Sequence, residues 1–266
     1  MRKKWLIWFV LLAAVIALAF VALDQRLIVR TYTVESDKVE TPIRLAVLTD
    51  YHGCNYGDGL IPAVDALQPD AVLLVGDIFD DNMPWQPSEE LVQGLAMKYP
   101  CYYVTGNHEY WSGEVDEICQ IVESCGASVL HGESHLLTLN GVSIRMCGVP
   151  DPEAGGNAYA WLERTASEAG EEFTVLLAHR PELIEQYAAT GAFDLVVSGH
   201  AHGGQVRIPG LVNGLFAPSQ GWFPDYAGGL YVVDDITLIV SRGLARESTR
   251  LPRIFNRPEL VMVEIK

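Results

Sequence analysis

Apolar and polar residues fall in blocks along this chain. The first block, residues 5–23, is apolar without a break, between Arg2-Lys3-Lys4 and Asp24-Gln25-Arg26. Its 19 residues, at about 1.5 Å each, reach about 28 Å, close to the hydrocarbon thickness of a bilayer. The basic cluster belongs on the cytoplasmic side, which sends the rest of the chain outward, and Trp5 and Trp8 sit where interfacial aromatics are expected. The pattern predicts a signal-anchor over 1–23, single-pass in the cell membrane, with the N-terminus cytoplasmic and the remainder extracytoplasmic. A cleaved signal peptide, which would leave a secreted protein, and a buried core helix are the competing readings. A signal's apolar region is usually shorter, about 7–15 residues.

Residues 24–41 are polar and mixed and read as a stalk with some strand content. From Pro42 onward, short apolar runs alternate with segments of helical period. Strands are predicted at 45–49, 71–75, 102–105, 142–147, 174–178, 195–198, twice within 230–241, and at 260–265. Helices are predicted at 60–67, at 88–97 with Ser88 as N-cap, at 114–124 closing on Gly126, at 159–168, and after Pro181. Continuous apolar strands of this length are buried on both faces, which implies sheets covered by helices. Nothing resembles a solenoid repeat or an internal linker, so 42–266 reads as one α/β domain.

The 266 residues are 49% hydrophobic and 20% charged, enough to bury a large core. With 34 acidic against 18 basic residues, the formal charge is −16. Such a surface repels polyanions and excludes a nucleic-acid binder. Five cysteines without a CxxC pair indicate neither a disulfide framework nor a zinc finger. Cys101 and Cys147 fall in strand-like runs and read as small core residues.

Candidate chemistry gathers where the strands end. In order come Asp50-Tyr51-His52, Gly76-Asp77-Ile78-Phe79-Asp80, Gly106-Asn107-His108-Glu109, His179 and Gly199-His200-Ala201-His202. Open α/β sheets place their sites at the carboxyl ends of strands, so these clusters are expected to converge. One strand-end Asp or Asn is commonly a turn former, but that does not explain the histidines beside them. His131 and His135 fall elsewhere and read as solvated loop residues. Carboxylate, amide oxygen and imidazole together suit Mn, Fe, Zn or Co. Seven candidate ligands exceed what one ion takes while keeping an open position. Two divalent ions about 3.5–4 Å apart account for them, turn a bridging water into hydroxide near neutral pH, and clamp phosphoryl oxygens. Phosphoester hydrolysis is the natural reaction class.

The order DxH, GDxxD, GNHE, H, GHxH, over about residues 43–265, resembles the calcineurin-like metallophosphoesterase superfamily. The anchor, with LAHRPE and GHAHGGQ, is similar to its membrane-anchored branch (YkuE- and YaeI-like). The resemblance implies a four-layer α/β/β/α sandwich of two mixed sheets. It also implies that Asp50, His52 and His202 hold one metal, that Asn107, His179 and His200 hold a second, and that Asp77 bridges them. His108 would protonate the leaving oxygen as the catalytic acid, and Asp80 and Glu109 would orient imidazoles or backbone. Similar branches act on lipid-linked or nucleotide-linked pyrophosphates, UDP-2,3-diacylglucosamine among them, and an anchored site favours an amphiphilic phosphate ester. The alternative is a non-catalytic metal-binding surface protein on the same fold. A dinuclear amidohydrolase would want another motif order and a bridging lysine.

Three further stretches stay ambiguous by sequence. Tyr51 and Cys54 either pack or touch substrate. The aromatic, glycine-rich residues 219–231 either line a cleft or connect a hairpin. Arg242, Arg246, Arg250, Arg253 and Arg257 read as a solvated loop before the last strand, with recruitment of an anionic substrate or lipid headgroup as the alternative.

Overall fold

A computed structural model describes residues 2–156, 158–246 and 251–266 of the chain. Met1 of the expected anchor and Arg250 of the arginine-rich stretch lie outside the described residues. Helix α1 (Arg2–Ala22) carries the first apolar block. Over Lys4–Ala22 its mean hydropathy is 2.8, and none of that length is buried against the rest of the protein.

The remaining elements alternate as the blocks predict. The first half contains β1 (Ile28–Val34), β2 (Ile43–Leu48), α2 (Leu60–Leu67), β3 (Ala71–Val75), α3 (Gln86–Ala96), β4 (Cys101–Val104), α4 (Asn107–Trp111), α5 (Val115–Ser124) and β5 (Ser128–Val129). The second half begins with β6 (Ser134–Leu139), β7 (Val142–Gly148), α6 (Ala158–Ser167), β8 (Phe173–Leu177), α7 (Ile184–Ala188) and β9 (Leu195–Ser198). It finishes with β10 (Phe216–Ala217), β11 (Gly221–Trp222), β12 (Gly229–Val233), β13 (Ile236–Val240) and β14 (Glu259–Ile265).

Two mixed six-stranded sheets result, ordered β1-β14-β2-β3-β4-β5 and β12-β13-β9-β8-β7-β6, with β10–β11 a separate hairpin. Within the first, β2, β3 and β4 run parallel, pairing Leu48 with Leu74 and Val75 with Val104. Within the second, β8 and β9 run parallel and pair Leu177 with Val197. The register therefore brings the carboxyl ends of these strands to a common edge within each sheet.

Alternation of side chains across each strand sorts the apolar residues into layers. One face of each sheet packs on the other: Leu45, Val47, Leu73 and Val75 meet Val175, Leu177, Val197 and Ile239. The opposite face of the first sheet, with Ala46, Leu48, Val72 and Leu74, is covered by Leu60 and Val64 of α2, Leu91 and Leu95 of α3, and Ile118 and Val122 of α5. On the second sheet Cys147, Leu176 and Val196 take Leu162 of α6 and Ile184 and Tyr187 of α7. The architecture is the expected four-layer α/β/β/α sandwich.

Some expectations are corrected. Residues 28–34 pair in parallel with β14 from Ile28↔Glu259 to Val34↔Ile265, so strand β1 belongs to the sheet and not to a stalk in front of it. As an edge strand it alternates half-buried with exposed positions and lacks the continuous apolar run of a central strand. Ser88 does not cap α3; its hydroxyl donates to the Ile78 carbonyl at 2.7 Å, and the helix begins earlier, with Pro87 in its first turn. His131 lies in the loop between β5 and β6 as expected but is half-buried, its ring edge against Trp161 at 4.8 Å. His135 is exposed as expected but lies on strand β6, its ring near Tyr102, and not in a loop. All five cysteines are free.

Candidate metal centre

Each cluster follows a strand directly. Asp50 and His52 come after β2, Asp77 after β3, Asn107 and His108 open α4 after β4, His179 follows β8, and His200 and His202 follow β9. The turns are tight: φ is +48° at Asp50, +50° at His52, +51° at Asp77, +64° at His200 and +46° at His202. Left-handed backbone is uncommon outside glycine, is tolerated best by Asn, Asp and His, and concentrates at functional sites. Here it bends the chain sharply so that these five side chains turn toward one place. Close approach of neighbouring backbone completes the turn, since a Cβ on Gly106 would collide with the Asp77 carboxylate and one on Gly199 with that of Asp50.

The side chains do converge. Donor atoms of Asp50, His52, Asp77 and His202 lie within 4.8 Å of one another, and so do those of Asp77, His179 and His200. Asp77 belongs to both groups; its Oδ2 is 3.1 Å from Nε2 of His179 and 3.7 Å from Nε2 of His52. Nε2 of His202 lies 3.5 Å from Oδ1 of Asp50. Asn107 is buried next to this centre, one residue before His108, whose backbone N–H donates to Asp77 Oδ1 at 2.9 Å. On the far side, the His200 backbone N–H donates to Asp50 Oδ1 at 2.9 Å.

The residues present fit a cation centre. Asp50 Oδ2, His52 Nε2, Asp77 Oδ2, Asn107 Oδ1, His179 Nε2 and His202 Nδ1 are all buried without a hydrogen-bond partner. Orphaned groups of this kind cost about 1–3 kcal/mol each, and six on residues of one cluster, relieved only in part by the 3.1 Å approach of His179 Nε2 to Asp77 Oδ2, make sense as ligand atoms. The second nitrogens of two rings explain the orientation. His52 Nδ1–H donates to Asp80 Oδ2 at 2.7 Å, and His179 Nδ1–H donates to the Val75 carbonyl at 3.0 Å. Both bonds leave the Nε2 lone pair facing inward, as ligating histidines require.

Electrostatics separate the imidazoles. Burial disfavours charge on His179, yet the Asp77 carboxylate beside it lifts the ring to about 10. Burial, with His179 charge nearby, holds His200 well below the usual imidazole range; burial and His52 do the same to His202. Burial opposes the Asp77 charge but His179 and His52 outweigh it, and the carboxyl falls well below its ordinary range.

Around the centre, Glu109 is a tie between loops. Its Oε2 accepts the N–H groups of Asp77 and Gly106 at 3.0 and 2.8 Å, and its Oε1 those of Ile78 and Phe79 at 2.8 and 3.0 Å. Burial and then Asp77 push this carboxyl up to about 7, against the pull of those backbone donors. Asp80 accepts from Asn82 N–H as well as from His52.

Two residues given no role by the sequence reading join the site. Asp81, directly after the GDxxD cluster, accepts from His108 Nδ1–H at 2.6 Å. Arg180, directly after His179, forms a bidentate pair with Asp151 at 2.6 and 2.9 Å, donates to Ser219 Oγ at 2.8 Å, and lies 3.4 Å from His200 Nε2. Adjacency to a motif was the only signal for Asp81; for Arg180 it was a place inside the LAHRPE string. Ser219 thus places the start of the 219–231 stretch at the site edge, while Trp222 and Phe223 are exposed beyond it. His52, Asp80, His108, Cys54, Met83 and Arg246 line a cavity of about 390 Å³. Tyr51 is buried in the core. The described arginines are no solvated loop: Arg246 stacks over the Tyr56 ring at 3.8 Å, Arg253 is buried and donates to the Arg242 carbonyl, and Arg257 donates to the Arg26 carbonyl.

A family model described as calcineurin-like phosphoesterase matches residues 43–204. Among curated proteins, the chain is 25% identical to YpbG of Bacillus subtilis over 88% of its own length and 85% of that protein. It is 28% identical to a bovine transmembrane protein with metallophosphoesterase domain, over 76% of this chain and 48% of the relative. The chain spans about half the length, or less, of several of the curated relatives it matches. Among solved structures, the NAD nucleotidase of Haemophilus influenzae superposes with a TM-score of 0.55 at 12% identity, covering 77% of this chain and 46% of that one. That likeness is one of fold.

Proposed function

The chain belongs to the calcineurin-like phosphoesterase family of metal-dependent phosphoesterases, and we propose that it hydrolyses phosphate esters at a dinuclear centre built from the strand-end residues. In this reading Asp50, His52 and His202 hold one divalent ion, Asn107, His179 and His200 hold the other, and Asp77 serves both. The six orphaned ligand-type atoms carry the proposal. When bound, such an ion pair supplies positive charge to phosphoryl oxygens and lowers the pKa of a coordinated water.

The chain's own groups do the rest. His108 lines the cavity with its Nδ1–H held by Asp81, which orients the ring to give a proton to the leaving oxygen. Asp80 and the Val75 carbonyl hold two ligand rings in place, and Glu109 locks together the loops that carry Asp77 and Asn107. Arg246 supplies positive charge on the cavity lining, suited to a phosphate with a further anionic part, whereas Arg180 beside His200 is balanced by Asp151.

A membrane-bound, lipid-linked substrate is the finer reading, with the N-terminus of α1 cytoplasmic and the site outside. Its support is proximity. The Phe255 N–H donates to the carbonyl of Ala22, where α1 ends, at 2.7 Å. The next residue, Asn256, donates to the carbonyls of His202 and Gln205 at 2.7 and 3.2 Å. One short segment thus joins the apolar helix to a ligand loop. Full chain purified in detergent, stripped by chelator and reloaded with Mn, Fe, Zn or Co, tests the whole reading. Two ions per chain and turnover of aryl phosphate mono- or diesters should return together. Two ions bound without turnover would favour the non-catalytic alternative.

A further inference from the structure

A second cationic pocket lies away from the ligand cluster. Its volume is about 510 Å³, and it is lined by Arg30 of β1, Arg207, Arg242, Ile208, Leu211 and Phe255. Arg207 is nine-tenths buried, donates to the Gly203 carbonyl and pairs with Asn213. Glu259, fully buried, is the carboxylate that balances the group; its Oε2 is 3.3 Å from Arg30 Nε and 3.4 Å from Arg242 Nε. Neither Nε makes a hydrogen bond, although both are buried. Three guanidiniums around one carboxylate leave unbalanced positive charge in a protein whose net charge is −16. Burial and then Arg242 accordingly push Arg207 down to about 10.

The pocket's other wall is apolar and projects outward. Ile208 and Val212 close a tight turn through bonds of 3.0 and 2.9 Å, presenting Pro209, Gly210 and Leu211 at its tip. Leu211 is 83% exposed and Ile208 47%. Such a tip carries no charge and costs free energy in water. Phe255, on the same pocket, holds the end of the exposed apolar helix α1 through Ala22. Cationic pocket, bare apolar turn and helix end therefore occur together.

We propose that Arg30, Arg207 and Arg242 bind the phosphate of an anionic phospholipid headgroup, with the 209–211 turn seated in the bilayer interface beside α1. Guanidiniums pair with phosphate bidentately, an apolar turn gains by entering the acyl boundary, and basic groups near a bilayer favour anionic lipids. The inference rests on α1 being membrane-embedded. Bound in this way, the domain is held at two points, so its catalytic cavity keeps a set orientation to the surface.

The test uses the full chain in detergent, with phosphatidylglycerol, phosphatidylcholine or inorganic phosphate added, and lipids retained per chain counted by native mass spectrometry. Wild type is expected to retain one phosphatidylglycerol more than the Arg30→Gln/Arg242→Gln variant, to show no such difference with phosphatidylcholine, and to keep its lipid in 10 mM phosphate. An unchanged thermal midpoint and metal content show that the variant is folded. Equal retention by wild type and variant, or of both lipids, overturns the proposal; displacement by inorganic phosphate reduces the pocket to a small-anion site and overturns it as well. In vesicles with a headgroup-proximal photoreactive phosphatidylglycerol, adducts should map to both α1 and residues 208–212. Adducts on α1 alone refute the seated turn, whereas none on α1 refutes the anchoring on which it depends.

Discussion

Nδ1 of His108 donates a 2.6 Å hydrogen bond to Oδ1 of Asp81, and the ring packs against Trp111 with centroids 4.8 Å apart. The pair fixes which nitrogen keeps its proton and how the ring stands in the cavity wall. In the proposed reaction the relationship matters, because proton delivery to a leaving oxygen would depend on both.

His108→Asn is therefore expected to lower kcat by about 10²–10³-fold on alkyl phosphate esters. The loss should be much smaller on p-nitrophenyl esters, whose leaving group needs no proton. Asp81→Asn should cost roughly tenfold with metal content unchanged, since it disturbs orientation only. Steady-state kinetics on both substrate types decide the matter; equal losses on both would remove the acid role.

Asp77 faces both ligand groups, so Asp77→Asn is expected to drop metal content from two ions per chain to one or none and kcat by at least about 10³-fold. Gly106→Ala should mimic it without replacing a ligand, because the added methyl would strike the Asp77 carboxylate and displace it. Elemental analysis after dialysis reads both variants. Full metal loading of Asp77→Asn would argue that Asp77 serves neither ion.

Glu109 accepts four backbone N–H groups, and an amide in its place turns one acceptor into a donor facing donors. Glu109→Gln is expected to cost about 2–3 kcal/mol of stability and to weaken metal binding by loosening the Asp77 and Asn107 loops. Denaturant unfolding and metal titration measure the two effects. A stability loss without change in metal affinity would confine Glu109 to the fold.

The metal-free protein should show a proton linkage at His179. Its folded pKa, raised to about 10 by Asp77 despite burial, exceeds the unfolded value of about 6.5. The ion pair therefore stabilises the apo form fully below about pH 6.5, and that contribution fades as pH rises toward 10. Ligation requires neutral imidazole, so metal uptake at pH 7.5 should release at least one proton per chain, and affinity should rise with pH up to about 10. His200 and His202, held low by burial, contribute no proton. Calorimetric titration in two buffers of different ionisation heat counts the protons; a count of zero would show that His179 is not displaced from Asp77.

Central strands were legible because continuous apolar runs such as 71–75 leave little choice of environment, and β3 begins and ends where the run does. Edge strands other than β12 were not, because they bury one face at most. Strand β1 carries Arg30, Thr31 and Thr33 among its apolar residues, and the β10–β11 hairpin has two residues in each arm. Asp81 and Arg180 were invisible for another reason. Their roles depend on hydrogen bonds to His108 and Asp151, made across 27 and 29 residues of chain, and an acid or arginine beside a motif looks like any other.

By itself the sequence determined what kinds of residue follow each buried strand, in what order, and that an apolar segment of membrane length stands in front. Those are local properties, set by side-chain chemistry and period. Distances were settled only by tertiary structure. Asp50 and His200 are 150 residues apart and meet through a 2.9 Å bond. That meeting depends on strand register and on left-handed turns at five non-glycine positions. Packing of the two sheets supplies the free energy that holds such turns, and no single segment carries it alone.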